Sequence, residues 1–429
     1  VTTAELAQRL IRFDTTNPPG NEADCIAFVR SLLDDAGVES QTYAKVEDRP
    51  NLVARIEGGD KPPLLLQGHV DVVTTAGQEW ARPPFGGELV DGFVWGRGAV
   101  DMKGPVAMLV SAFLRAKREG TPLPGDVILA VLADEENGGD VGARFLTQEH
   151  ADLFDGVRYA LSEFGGFSLE IAGRRFYPIQ VAEKQICWLK ATIRGKGGHG
   201  ALVNRGGTMA RLGRLLRDLD RRRTPIHVTP VTREYIERIA AALPRPKRDV
   251  VLATLKPRLA DRALQLMGEQ GRQLEPTLRN TVNATIVRAG DKVNVVPSTV
   301  ELELDARALP GFTPDQVMEE IGELVGRDVE LELVRHDPGP PEPDLGLFDM
   351  LADVLRELDP SAIPVPLVQP GVTDARFFAP LGIQTYGFVP LRLPTDFEFL
   401  QLIHAADERV PASALEFGAE AIFQALQRF

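Results

Sequence analysis

Leu64-Leu65-Leu66-Gln67-Gly68-His69-Val70-Asp71 is an apolar, strand-like run that ends on an imidazole and a carboxylate. Ile128-Leu129-Ala130-Val131-Leu132-Ala133-Asp134-Glu135-Glu136 repeats the arrangement with three acids, and Tyr159-Ala160-Leu161-Ser162-Glu163 repeats it with one. Open α/β sheets place their sites beyond the carboxyl ends of the strands. The expectation is an α/β fold, a mainly parallel sheet covered by helices, with its chemistry at those ends. Gly96-Arg97-Gly98-Ala99-Val100-Asp101-Met102-Lys103-Gly104 adds a further acid among glycines, where a tight turn brings backbone close to a bound ion.

Helix patterns surround these runs at Thr3–Ile11, Glu22–Ala36 and Met102–Lys117, and the alternation of strand and helix continues to about residue 184. The texture then changes. A strand at Gln185–Arg194, an amphipathic helix at Met209–Leu219, strands at Asn283–Val287 and Thr299–Ala306, and a helix at Pro314–Val325 suggest an α+β module. Between them Arg221–Pro276 is rich in proline and charge, with short helical pieces such as Glu234–Leu243. After the loop signal Pro338–Pro343, α/β patterning resumes at Leu347–Leu358 and Gln384–Val389 and ends in a helix from about Pro411 to Phe429. The expected organisation is one α/β domain, residues 1–184 and 338–429, carrying an inserted domain at 185–337.

The chain has 429 residues, 44% hydrophobic and 25% charged, which suits two or three domains of ordinary globular composition. A net charge of −13 argues against binding nucleic acid or an anionic membrane through bulk electrostatics. Cys25 and Cys187 both lie in apolar patterns, which predicts buried thiols and neither a disulfide framework nor a cysteine zinc site. No apolar run has membrane-spanning length and no basic-then-apolar signal segment is present, so the expectation is cytoplasmic, without membrane or nucleic-acid partners.

Taken singly, each acid or histidine is more often a hydrogen-bonded or surface residue than a ligand. Placement changes that. In His69-x-Asp71 the carboxylate stands where it can accept the second imidazole N–H, fixing the ring. Glu135 and Glu136 are neighbours, so extended side chains would diverge; Gly138-Gly139 supplies a turn, letting one bind metal while the other serves as a general base towards water. Asp101, Glu136 and Glu163 carry three negative charges and a bridging hydroxide would carry a fourth, together offsetting two divalent ions, and nitrogen and oxygen donors suit zinc, with cobalt or manganese as alternatives. Gly195-Lys196-Gly197-Gly198-His199-Gly200 matches a dinucleotide fingerprint, with Asp218 downstream. Asp218 falls inside a charged helix rather than at a strand end, so the stretch reads better as a glycine-rich loop presenting His199.

The run Thr15-Thr16-Asn17-Pro18-Pro19-Gly20, then Gly68-His69-Val70-Asp71-Val72-Val73, Gly98-Ala99-Val100-Asp101-Met102-Lys103-Gly104 and Asp134-Glu135-Glu136 in that order, resembles the dinuclear zinc exopeptidases and deacylases. That family includes aminoacylase, glutamate carboxypeptidase, acetylornithine deacetylase and succinyl-diaminopimelate desuccinylase, and the resemblance covers essentially the whole chain. It implies His69 and Glu163 as terminal ligands of one zinc, Glu136 and His404 as those of the other, and Asp101 as the bridge. Asp71 would orient His69, and Glu135 would be the general base. His404 is selected by the resemblance alone.

The resemblance makes the inserted domain a lid that dimerises, with His199 stabilising the oxyanion. It implies substrate contacts at Asn294 and Arg307, and at Arg376 a guanidinium for the substrate carboxylate. The chain departs from compact members by an extra lid stretch, about Thr224–Thr277, as in the larger carboxypeptidase-like branch. Glu163 stands where some peptidases have Asp, a feature of the deacetylase and desuccinylase branch. The expected activity is hydrolysis of an amide next to a free carboxylate in a small peptide, by water activated between two zinc ions. An N-acyl amino acid deacylase is the alternative, and a non-catalytic metal-binding protein a remote one.

Overall fold

The computed structural model describes residues 1–326, 328–339 and 342–429. Pro340 and Pro341, within the expected loop Pro338–Pro343, lie outside the described residues. Backbone contacts divide the chain into two compact units. One comprises Val1–Val181, Pro343–Leu367 and Thr373–Phe429; the other comprises Ala182–Glu342 and Val368–Val372.

The first unit is built on a nine-stranded sheet. At its centre the strands Gly125–Leu132, Lys61–His69, Tyr159–Ser162 and Gln384–Gly387 lie side by side and run parallel. Asn51–Ile56 joins antiparallel to Gly125–Leu132, and Ser40–Tyr43 extends that edge. The central strands are buried almost throughout, the physical meaning of their unbroken apolar runs. Helices Thr3–Ile11, Lys103–Glu119 and Ala412–Leu426 pack against one another. The first is closed by a capping box between Thr2 and Glu5. The second ends at Gly120, left-handed at φ 58°, after Lys117 and Arg118. The sheet is mainly parallel and helix-covered, as the strand-end pattern predicts.

A small three-stranded sheet of Glu88–Val90, Phe93–Trp95 and Arg409–Pro411 belongs to the same unit. It pins the chain after His404 to the chain before Asp101.

The second unit centres on a four-stranded antiparallel sheet in the order Thr281–Ala289, Thr299–Ala308, Gln185–Arg194, Glu330–Asp337. Helices Thr208–Arg221 and Pro314–Val325 cover it, with Leu212, Leu215, Val317 and Ile321 in its core. The proline- and charge-rich stretch forms four short helices, Pro230–Ala241, Lys247–Ala253, Pro257–Met267 and Glu269–Leu274. Both cysteines are buried free thiols. No helix of the described residues is long and apolar enough to cross a membrane.

Gly387 closes the strand that pairs with Tyr159–Ser162, the strand that runs into Glu163. A β-carbon there would lie 1.6 Å from the Phe164 carbonyl oxygen and 2.7 Å from that of Glu163. Backbone must move to admit it, so Gly387→Ala is expected to destabilise the fold by about 1–3 kcal/mol. Because Glu163 moves with that backbone, metal affinity should fall as well. Denaturant unfolding and metal titration check both effects.

Candidate active site

Three adjacent parallel strands deliver the first groups. Lys61–His69 ends on His69, Gly125–Leu132 runs into Asp134-Glu135-Glu136, and Tyr159–Ser162 into Glu163. After Leu132 the chain must turn sharply to keep the acids at the sheet edge. Asp134 is left-handed at φ 70°, Glu135–Asn137 forms one turn of 3-10 helix, and Gly138 and Gly139 follow at φ 108° and 75°. Only residues without a β-carbon take such angles freely. Within the 3-10 turn successive side chains point about 120° apart, which sends the two glutamates different ways, and the glycine pair lets the chain leave the turn.

His69 is buried, and its Nδ1 lies 3.0 Å from the Asp71 carbonyl oxygen and 3.3 Å from Asp71 Oδ1. Both partners only accept, so Nδ1 carries the proton and Nε2 faces the other way. There Nε2 is 3.3 Å from Asp101 Oδ1 and 3.5 Å from Glu163 Oε2, without a hydrogen bond to either. His404 Nε2 lies 3.3 Å from the other Asp101 oxygen, Oδ2, and 3.2 Å from Glu136 Oε2. Asp101 therefore presents one oxygen to each imidazole. His404 itself is exposed and left-handed at φ 60°.

This donor set fits divalent cations. An imidazole lone pair aimed at carboxylates is repulsive unless a proton or a metal ion stands between them. Glu136 Oε1 is likewise buried without a hydrogen bond. Burial, opposed by the His404 contact and reinforced by Asp101, pushes Glu136 up to about 7. Burial and then the charge of Glu163 raise Glu135 well above the usual carboxylate range. Contacts with Asp101 and Glu136 lift His404 to about 10. Among the described residues, two groups place their ligand atoms within 4.8 Å of one another: His69 with Asp101 and Glu136, and His69 with Glu135 and Glu163. Excess buried negative charge of this kind is what metal ions neutralise.

The Asp71 carboxylate does more than the sequence suggests. Asp71 Oδ1 accepts the Glu135 N–H and Oδ2 the Glu136 N–H, both at 3.1 Å. Its carbonyl makes the shorter contact to His69 because its carboxylate is engaged by the turn.

Arg376 is buried, stacks over Phe377, donates to the Thr373 carbonyl at 3.0 Å and lies 3.8 Å from Glu135 Oε1. Beside it Asp374 is buried with neither carboxylate oxygen hydrogen-bonded, and burial pushes it up to about 7.

Glu408 escaped the sequence reading although it lies four residues past His404. Fully buried, it accepts from Arg97 at 2.7 Å and from the backbone N–H of Gly98, Val100 and Asp101 at 3.1, 2.7 and 3.0 Å. It thereby holds the loop that presents Asp101.

The remaining site candidates lie in the second unit. His199 sits on a two-residue strand, Gly198–His199, paired with Val295–Val296. It is exposed, and its Nδ1 accepts the Ala201 N–H at 3.1 Å. Asn294 is exposed, with its carbonyl accepting from Gly200. Arg307 pairs with Asp305 at 2.6 Å. Asp218 lies inside the helix Thr208–Arg221, away from any strand end.

A mainly parallel α/β sheet with histidines and acids grouped at its strand ends defines a metallohydrolase-type centre. The model of Peptidase family M20/M25/M40 matches residues 65–428, and the chain belongs to that family. Human N-fatty-acyl-amino acid synthase/hydrolase PM20D1 is 29% identical over 87% of this chain and 75% of its own length. Aminoacylase-1 of Sus scrofa is 27% identical over 98% of this chain and 93% of its own length. Among solved structures, the M20 family metallo-carboxypeptidase Sso-CP2 from Sulfolobus solfataricus shares the fold, with a TM-score of 0.69. It is 16% identical, over 99% of this chain and 98% of that one. The protein is a metallopeptidase or amidohydrolase of this family, a metal-dependent hydrolase of peptide or N-acyl amide bonds.

Proposed function

We propose that the chain hydrolyses an amide bond adjacent to a free carboxylate, as a carboxypeptidase or dipeptidase does. Asp101 carries the reading, because its two oxygens face His69 and His404 separately, as a bridge between two cations requires. His69 with Glu163, and His404 with Glu136, are the terminal ligands in this assignment. Nitrogen and carboxylate donors favour zinc, with cobalt or manganese able to take the same places. Such ions polarise a scissile carbonyl and make water acidic.

The chain's own groups do the rest. Glu135 takes a proton from the attacking water and returns it to the leaving nitrogen, and burial, which raises its pKa, favours holding that proton in between. Asp71 keeps the His69 proton on Nδ1 and holds the Glu135 backbone. His199 is the proposed oxyanion donor: with Nδ1 accepting from Ala201, its proton sits on Nε2. Asn294, Arg307 and Arg376 are the proposed substrate contacts, and a homodimer through the inserted unit the proposed assembly.

A second reading, N-acyl amino acid deacylase, is favoured by the names of the two curated relatives above. Mass-spectrometric product detection from a panel of dipeptides and N-acyl amino acids with added zinc separates the two. Free amino acids from peptides are expected on the first reading, and a released fatty or small acid on the second. A chelator should abolish either, and zinc should restore it. Cleavage that persists without metal would sink both.

A further inference from the structure

We propose that Asn17 is a positioning residue for Glu135, fixing the turn that carries it through two buried carboxylates, Asp71 and Asp134. The inference rests on the reading of Glu135 as the proton carrier.

Asn17 follows the first helix in Thr15-Thr16-Asn17-Pro18-Pro19-Gly20 and is buried. The backbone docks this loop on the end of the His69 strand. Asn17 N–H donates to the Val72 carbonyl at 2.8 Å, and Val72 N–H donates to the Thr15 carbonyl at 3.1 Å. The side-chain amide then faces two acids at once, 2.8 Å from Asp71 Oδ2 and 3.0 Å from Asp134 Oδ1. Carboxylates only accept, so the nitrogen must be the atom turned towards them. Asn17 Oδ1 is left buried without a hydrogen bond. A side chain that merely filled space would not require that orphan; a side chain selected for its two N–H groups does.

Each acid grips one end of the catalytic turn. Asp71 accepts the N–H groups of Glu135 and Glu136, where the turn begins. Asp134 Oδ2 accepts the Val141 N–H, where it ends, and the Asp134 carbonyl accepts from Gly139 at 2.6 Å. Two buried carboxylates this close repel one another, and Asn17 bonds to both. Arg49 supplies the positive charge. It donates to Asp134 Oδ1 at 2.9 Å and grips the buried Glu22 at 3.0 and 2.6 Å. The Glu22–Arg49–Asp134–Asn17–Asp71 chain therefore sets where Glu135 stands, and Asn17 is its only neutral member.

The test is Asn17→Ala in the zinc-loaded enzyme, beside Glu135→Gln, on the substrate found by the product panel. Metal content, KM, kcat and deuterium exchange of the peptide spanning residues 133–141 are measured. Partners that orient catalytic groups typically contribute about 10–100-fold. The expected result is a fall in kcat of that size, with metal content and KM near wild type and faster exchange confined to that peptide. Unchanged kcat and exchange would overturn the proposal. Loss of metal together with activity would overturn it too, because Asn17 would then act through a ligand. If Glu135→Gln turns over normally, the proton-carrier reading fails, and the exchange readout still decides whether Asn17 holds the turn. If Asn17→Ala does not fold, Asn17→Ser is measured and judged by the same outcomes.

Discussion

Glu135→Ala is expected to lower turnover by about 10²–10⁴-fold while both metal ions stay bound. Glu135 and Glu136 are adjacent, yet the turn after Leu132 sends them to different places. Glu136 faces His404, whereas Glu135 stands by Arg376, 3.8 Å away, and by Glu163. The Glu135 N–H is held by Asp71, so truncating the side chain removes the carboxylate and leaves the turn in place. Inductively coupled plasma measurement of metal content, paired with single-turnover kinetics, is the check. The Glu135 carboxylate also lies within ligand distance of His69 and Glu163. A variant that loses a metal ion would therefore make Glu135 a ligand and end the division of roles proposed above.

Glu408→Ala is expected to destabilise the protein by about 3–5 kcal/mol, because it strands the Arg97 guanidinium. Arg97 is 1% exposed and Glu408 is fully buried. The same substitution leaves the N–H groups of Gly98, Val100 and Asp101 without their acceptor. The Asp101 loop should loosen, so metal affinity should drop along with stability. Urea unfolding of wild type and variant, with and without zinc, measures both effects. An unchanged midpoint would show that Gln78, whose side-chain carbonyl already accepts from Arg97 at 2.8 Å, suffices to hold the guanidinium. Arg97→Met with Glu408→Leu should recover part of the stability without recovering metal affinity, since it removes the stranded charge but not the need to hold Asp101.

Several elements were legible in the chain. The helices Thr3–Ile11 and Pro314–Val325 and the strand Gln185–Arg194 carry their periodicity and caps within their own residues, and the structure places them at those bounds. The strand Ile363–Gln369 was not legible. Pro364 and Pro366 deny it the look of a strand, and the fold accepts them because it closes the edge of the sheet, where donors need no partner. The strand at Gln384 ends at Gly387, short of the expected Val389, although the backbone goes on bonding beyond it, Phe388 N–H to the Ser162 carbonyl at 2.9 Å and Val389 N–H to the Gly165 carbonyl at 2.7 Å.

For the site, the sequence by itself determined which acids and histidines stand at strand ends, since an unbroken apolar run followed by His69, Asp134-Glu135-Glu136 or Glu163 is a local statement. His404 could be singled out only by resemblance, because nothing in its own stretch is periodic. Only the tertiary structure decided that Asp101 turns one oxygen to each imidazole. It also decided that Asp71 serves the glutamate turn, that Arg376 lies against Glu135, and that Asn17 and Glu408 hold the two loops carrying Glu135 and Asp101. The physical reason is the range of the interactions. Apolar patterning and caps act over a few residues and are written in order along the chain. A buried carboxylate must find its donors wherever the fold brings them, and those of Glu408 lie more than 300 residues away.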